Sequence, residues 1–250
     1  MMTELVLVEG VSDILLISYY LQKVYGWKSK NSNNLGITAL EECEHIESLY
    51  KGENQLVVCG VGGNGKYKSF VEKHRINDMI IEQDISSLMI VTDRDENTDA
   101  KINRTINGIL DNIIFKVGEW NNNKIIDSFQ QPKYINTYLL IIPENENGAL
   151  ERVIINSLSK MPEHAQLISE VVDFVDTLKD EPDLDLKKIS KANKATVGTF
   201  FSIRNPQNAM RAFGIHISSI DWSKSEVLKK IFLPFDDLGK NKSISMRIIK

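Results

Sequence analysis

Residues 88–97 read LMIVTDRDEN, an apolar run that passes straight into Asp93, Asp95 and Glu96. A run with no polar alternation suits a strand covered on both faces, as in a parallel sheet between helical layers. Acids at its exit stand where an open α/β sheet collects ligands, beyond the carboxyl ends of the strands. Carboxylates held there cost free energy unless a partner replaces the lost water. The stretch therefore predicts an architecture and a charged site attached to it.

Three more segments repeat the pattern: ELVLVE (4–9), QLVVC (55–59) and TYLLIIP (137–143). Between the strands the apolar period changes to that of a helix. In SDILLISYYLQKVYG, residues Ile14, Leu15, Ile17, Ser18 and Leu21 share one face, with Ser12 as the expected cap. A glycine-rich turn after QLVVC leads into a helix expected to run through about residue 83; residues 98–115 also read as helical, and NGALERVIINSLSK opens another helix. WKSKNSNN reads as a polar connection and the NNN at 121–123 as a loop. Beyond about residue 160 the text is helical and charged, with Phe200, Phe201 and Ile203 expected in a helix core. The expected fold is α/β: a mostly parallel four-stranded sheet flanked by helices over residues 1–160, with a helical C-terminal extension over 161–250 packed on it.

Composition narrows the functions. With 250 residues, 42% of them hydrophobic, the chain can bury one large core or two modest ones. Its 30 Lys and Arg against 34 Asp and Glu give no global pull toward polyanions, so a nucleic-acid site must be a local basic patch. Lys66, Lys68, Lys73 and Arg75 offer one, and the lysines of residues 187–194 another; each taken singly more often marks a solvated helix face. Two cysteines, Cys43 and Cys59, and an N-terminus without a signal pattern predict a reducing cytoplasm. The longest apolar runs fall short of the roughly 20 residues of a membrane span. His45, His74, His164 and His216 show no zinc-ligand spacing with the cysteines, so no structural zinc is expected. Trp27, Trp120 and Trp222 lie too far apart in sequence to mark a stacking platform.

Three strand exits carry chemistry. In VEGVSD, a helix dipole and cap explain Asp13, but they leave Glu9, a carboxylate finishing an apolar strand, unexplained. On an extended backbone Asp93 and Asp95 project to the same side. Two such charges repel and raise a pKa unless a cation lies between them, and hard oxygen donors at that spacing suit Mg²⁺ or Mn²⁺. An isolated Asp-x-Asp is more often an acidic turn; a strand-end Glu9 beside it reverses the odds. The third exit, GVGGNGK (60–66), has the phosphate-loop spacing Gly60, Gly65, Lys66, but Tyr67 follows where Ser or Thr would hold magnesium. Gly62, Gly63 and Gly65 are expected to leave amides open to a phosphate beside Lys66.

Taken together, LVEGVSD, VVCGVGGNGK and LMIVTDRDE resemble, in order, the segments of the TOPRIM domain shared by topoisomerases, primases and several nucleases. Glu9 matches that family's strand-end glutamate, and Asp93 and Asp95 its Asp-x-Asp metal ligands. The Glu9 to Asp13 spacing looks most like the nuclease branch, which includes the overcoming-lysogenisation-defect nucleases and a ribosomal-RNA maturase. IIPENENGALERVI is similar to the segment after the fourth strand in small stand-alone TOPRIM proteins. The resemblance implies that Glu151 completes a second metal site and that a downstream lysine assists. Lys194 is the preferred match among Lys188, Lys191 and Lys194.

The activity implied is metal-assisted cleavage of phosphodiester bonds in DNA or RNA, in phage defence or nucleic-acid processing. Glu9 and Asp95 would hold one Mg²⁺ or Mn²⁺, and Asp13, Asp93 and Glu151 the other. An ATPase partner and a homodimer are the implied assemblies. Two other readings stay open: a nucleotide-binding protein using the Gly60–Lys66 loop, and a noncatalytic TOPRIM subunit regulating an ATPase-linked complex.

Overall fold

The computed structural model describes residues 2–29, 40, 43, 45–83, 85–127 and 129–240. Through them the chain runs β1 (Thr3–Val8), α1 (Val11–Val24), β2 (Lys28–Ser29), β3 (Ile46–Lys51), β4 (Asn54–Gly60), α2 (Tyr67–Lys73), α3 (Ile76–Glu82) and β5 (Ile85–Asp93). It continues through α4 (Asp99–Ile106), β6 (Asn121–Ile126), β7 (Pro132–Ile142), α5 (Leu150–Ser159), α6 (Pro162–Thr177), α7 (Ile189–Arg204), α8 (Phe213–Ser218) and α9 (Glu226–Ile231).

The architecture is α/β, but among the described residues the sheet has seven strands where four were expected, in the order β2-β3-β4-β1-β5-β7-β6. The four apolar segments form its centre, where β4, β1, β5 and β7 are parallel neighbours. Antiparallel strands extend both edges. Next to the edge strand β2, β3 returns into β4 through a tight turn in which Lys51 faces Asn54 and Gly52 takes a φ of 61°, the left-handed geometry that two-residue hairpins require.

At the other edge β6 begins at Asn121, so the NNN expected as a loop is a strand. Its polar side chains are satisfied locally: Asn123 donates to Thr137 Oγ1 at 2.9 Å and accepts from the Ile114 amide at 2.8 Å. A side-chain amide that finds both partners can occupy a strand despite its turn preference.

Alternation along the central strands feeds two apolar layers. Val6, Val8, Met89, Val91, Leu140 and Ile142 pack against α1 and the helices from α5 onward. Leu5, Leu7, Leu88, Ile90, Leu139 and Ile141 face α2, α3 and α4. Burial on both faces explains why these strands read as unbroken apolar runs. Two expected helices are shorter than their sequence pattern. The one after the glycine-rich turn breaks at Arg75, which has a φ of 50°, and α4 stops at Ile106, after which residues 107–115 form turns and coil. The expected polar connection WKSKNSNN starts instead in β2, and its residues 30–34 lie outside the described set. Among the described residues beyond 160 the chain is helical, and α5, α6 and α7 pack on one another. No helix among the described residues is long and apolar enough to cross a membrane.

Phe200 and Phe201 are buried in this layer, whereas Ile203, expected beside them, is 55% exposed. One helical turn carries both faces, and Ile203 lies on the outer one. Phe200→Ala should therefore lower the unfolding free energy by about 3–5 kcal/mol, and Ile203→Ser by less than about 0.5 kcal/mol. Urea titration followed by circular dichroism checks the contrast; equal losses would mean that this helix is rotated.

Candidate active site

The chain leaves β1 toward β4 and leaves β5 toward β7, in opposite directions across the sheet. A crevice opens where connections diverge in this way, between the carboxyl ends of the two strands. Glu9 and Asp93 stand at those ends. The register has Leu7 opposite Ile90, so two residues further on Glu9 comes beside Thr92. The Thr92 hydroxyl and the Asp93 amide both donate to Glu9 Oε1, at 2.8 and 2.9 Å.

Asp13 is reached through the start of α1. Gly10, not Ser12, is the residue that caps this helix, and its amide donates to Asp13 Oδ2 at 2.8 Å. Asp13 thus serves the cap, as the bland reading required, and is also buried against the crevice. Asp93 ends β5, and its Oδ1 accepts the amide of Leu150, the first residue of α5, at 3.1 Å. Glu151 follows in the first turn of that helix.

Asp95 departs from expectation. It does not continue the extended strand alternation with Asp93, because the strand ends and Asp95 takes a φ of 50°. Its backbone instead pairs with Gly148, amide to carbonyl in both directions at 2.7 and 2.9 Å. Gly148 has a φ of 138°, and a Cβ there would stand 2.9 Å from the Arg152 side chain, so this contact demands glycine. Asn64 of the glycine loop donates to Asp95 Oδ2 at 2.5 Å. Arg94, between the two acids, turns away from the crevice: its guanidinium bonds the carbonyls of Pro143 and Glu144 and pairs with Asp99.

Five acids from β1, α1, the β5 exit and α5 therefore converge closely enough to perturb one another. Burial pushes the Asp93 carboxyl up to about 9, with the charges of Asp13, Glu9, Glu151 and Asp95 adding to the effect. Burial likewise raises Asp13 to about 7, with Glu9 and Glu151 adding to the rise. Glu9 is raised by burial against its two hydrogen bonds, with Asp95 and Glu151 contributing. Tyr67, where a phosphate loop would have Ser or Thr, is buried and donates to the Val91 carbonyl at 2.6 Å. Burial and the same acids hold its phenol well above the ordinary range.

The donor chemistry, hard oxygens crowded at one charged locus, fits Mg²⁺ or Mn²⁺. Among the described residues, no three His, Cys, Asp or Glu side chains are closed around a common point as a ligand shell. Glu9 accepts its two hydrogen bonds on Oε1, Asp13 accepts the Gly10 amide on Oδ2 and Asp93 accepts the Leu150 amide on Oδ1.

The glycine loop does different work from that expected. The amides of Gly62 and Gly63 donate to the Glu9 carbonyl at 3.1 and 2.8 Å, so they are spent on fixing β1 and are closed to a phosphate. Gly65 and Lys66 are exposed, and Lys66 precedes the first residue of α2. The downstream lysines differ in setting. A cavity of 420 Å³ opens beside Asp95, Glu96 and Gly148 and is lined on its far side by Lys188, at the start of α7. Lys194 is exposed on α7 and does not line it, while Lys191 pairs with Asp185. The site residues that sequence reading passed over are Thr92 and Asn64. Thr92 carried a signal, as a polar residue closing an apolar strand.

Sheet and crevice together define an α/β protein with an acidic site at the switch point of a mixed sheet. The chain belongs to DUF3226, a protein family of unknown function whose model matches residues 3–233. The crystal structure of a hypothetical protein from Pyrococcus horikoshii OT3 is similar over 95% of this chain and 98% of that one, at 16% identity and a TM-score of 0.49. No curated protein matches the sequence.

The raised carboxyls fix the direction of a pH effect. Asp13 and Asp93, with ordinary values of 3.8, hold protons in the folded state that the unfolded chain releases. These two groups therefore stabilise the metal-free protein most below about pH 4, and their contribution is lost progressively as pH rises from there to about 7 for Asp13 and about 9 for Asp93, above which it stays flat. Asp93→Asn keeps an acceptor for the Leu150 amide while removing the charge. It should flatten the decline and raise the melting temperature in EDTA at pH 8 by about 3–10 °C. Differential scanning calorimetry between pH 5 and 9 decides, and a lower melting temperature for the variant at pH 8 would contradict the assignment.

Proposed function

We propose that this protein is a Mg²⁺- or Mn²⁺-dependent phosphodiesterase of TOPRIM type that cleaves nucleic acid. The observation that carries the reading is the convergence of Glu9, Asp13, Asp93, Asp95 and Glu151 at one switch-point crevice, where burial and the neighbouring acids raise the carboxyls of Glu9, Asp13 and Asp93. The order of strand, acid and helix around it supports the TOPRIM likeness of the sequence, with Glu9 ending β1 and Asp93 ending β5.

Glu9, Asp13, Asp93, Asp95 and Glu151 would hold the cations. Divalent ions there supply neutralisation of the acids and of the negative charge that develops on a phosphate ester under attack. The remaining residues orient these carboxylates. Thr92 and the Asp93 amide fix Glu9, the Gly10 amide fixes Asp13, the Leu150 amide fixes Asp93, and Asn64 fixes Asp95. Lys188, which lines the cavity beside Asp95, would receive the ester's phosphate. The nucleotide-loop alternative loses support because two of the amides it needs are already bonded to Glu9.

Purified protein incubated with Mg²⁺ or Mn²⁺ should cut at least one of single-stranded DNA, duplex DNA, ribosomal RNA or transfer RNA. Asp93→Asn should abolish the cutting, and Thr92→Val or Asn64→Ala should slow it by about 10- to 100-fold, the usual effect of removing a group that orients a metal ligand. Cleavage unchanged in Asp93→Asn, or no cleavage of any substrate, rejects this reading.

A further inference from the structure

A second cavity, of 290 Å³, opens on the other side of Asp93, between the glycine loop and α4. Its lining differs in kind from the cavity beside Asp95. That first cavity presents Glu96, Asn97, Asn147 and Lys188, a set suited to charge. This one has an apolar wall formed by Ile102 and Ile106, one turn apart on α4, Ile109 just beyond, and Tyr67. Around the wall stand Asn64, Asn97 and Thr105, whose side chains each donate one hydrogen bond, to Asp95 Oδ2 and to the carbonyls of Arg94 and Lys101, and whose side-chain oxygens can still accept. Lys68 and Lys101, both exposed, add positive charge. Asp93 and Thr92 line the same cavity, and Asn97 lines both.

From this arrangement we infer that the cavity receives one unstacked base of a single-stranded nucleic acid, the base of a nucleotide adjoining the phosphate at the acids. The identification rests on the reading of the acids as a phosphodiester site, and the cavity adds the substrate class. A flat ring with polar edges matches an apolar wall bordered by amides and a hydroxyl. The volume lies at the small end of ligand pockets, about 300 Å³ and upward, which suits one ring system. The cations at its border suit the phosphates on either side of that nucleotide. A base inside a duplex stack cannot enter such a cavity without leaving its partner, so single strands are preferred over duplexes.

The test uses the whole protein with DNA and RNA 12-mers, single-stranded and duplex, carrying either one 2-aminopurine or one abasic nucleotide at each position in turn. Binding is read by fluorescence in Ca²⁺ and cleavage by gel in Mg²⁺. One position should show both a distinct 2-aminopurine signal and a loss of affinity of about 5- to 100-fold when abasic, the scale of one base against an apolar wall. Thr105 is exposed, so Thr105→Trp can plug the cavity while leaving the melting temperature unchanged. It should remove the dependence on that position, and Lys101→Ala should weaken binding at every position alike. Affinity indifferent to the abasic position, duplex bound as tightly as single strand, or no binding of either nucleic acid overturns the inference. A position effect without cleavage keeps the base site and removes the hydrolytic reading. Cleavage lost in Asp93→Asn with no position effect does the reverse.

Discussion

A carboxylate buried at the end of a central strand must be held by donors, and two other parts of the chain hold Glu9 at once. Its side chain takes the Thr92 hydroxyl and the Asp93 amide, and its carbonyl takes the amides of Gly62 and Gly63. These bonds join the exit of β1 to the exit of β5 and to the loop leaving β4. Each of the three segments would otherwise present unpaired polar groups at a partly dry edge. Glu9 is therefore the joint on which the geometry of the crevice depends, and its ionised form is costly enough that burial raises its pKa despite the two donors.

The rest of the site follows from that joint. With β1 and β5 pinned, Asp93 is carried to the start of α5, where the Leu150 amide meets it, and Asp13 is carried over the edge by the first turn of α1. Asp95 is placed differently, by a backbone exchange with Gly148 that the strand does not dictate. Four of the acids are thus set by elements of the sheet and its helices, and the fifth by a loop contact that tolerates only glycine.

This division also explains what the sequence made legible. The four central strands could be read because burial on both faces leaves an apolar run with no alternation. Glu9, Asp93 and Asp13 could be placed because they fall at fixed offsets from those runs. The antiparallel strands β2, β3 and β6 were missed for the opposite reason: their residues alternate or are polar, and the NNN of β6 finds partners in Ile114 and Thr137 that lie outside the strand. The left-handed turn at Asp95 left no mark, since nothing in Asp-Arg-Asp announces a partner more than fifty residues away. Lys188 and Lys194 lie on one helix with the same composition around them, and only the packing of α7 against the 147–148 loop distinguishes them. Tyr67 read as a defect in a phosphate loop; in the fold it is a buried phenol bonded beneath the end of β5.

Arg94 shows how the protein treats the charge it has gathered. A guanidinium flanked by two of the acids could have cancelled much of their repulsion. Instead it is committed to the carbonyls of Pro143 and Glu144 and to Asp99, stapling the far side of the turn. The repulsion is met instead by protons, which Asp13 and Asp93 hold far above the ordinary carboxylate range. A cation entering the crevice would have to displace them, which would couple any such occupancy to pH as well as to the ionic composition of the surroundings.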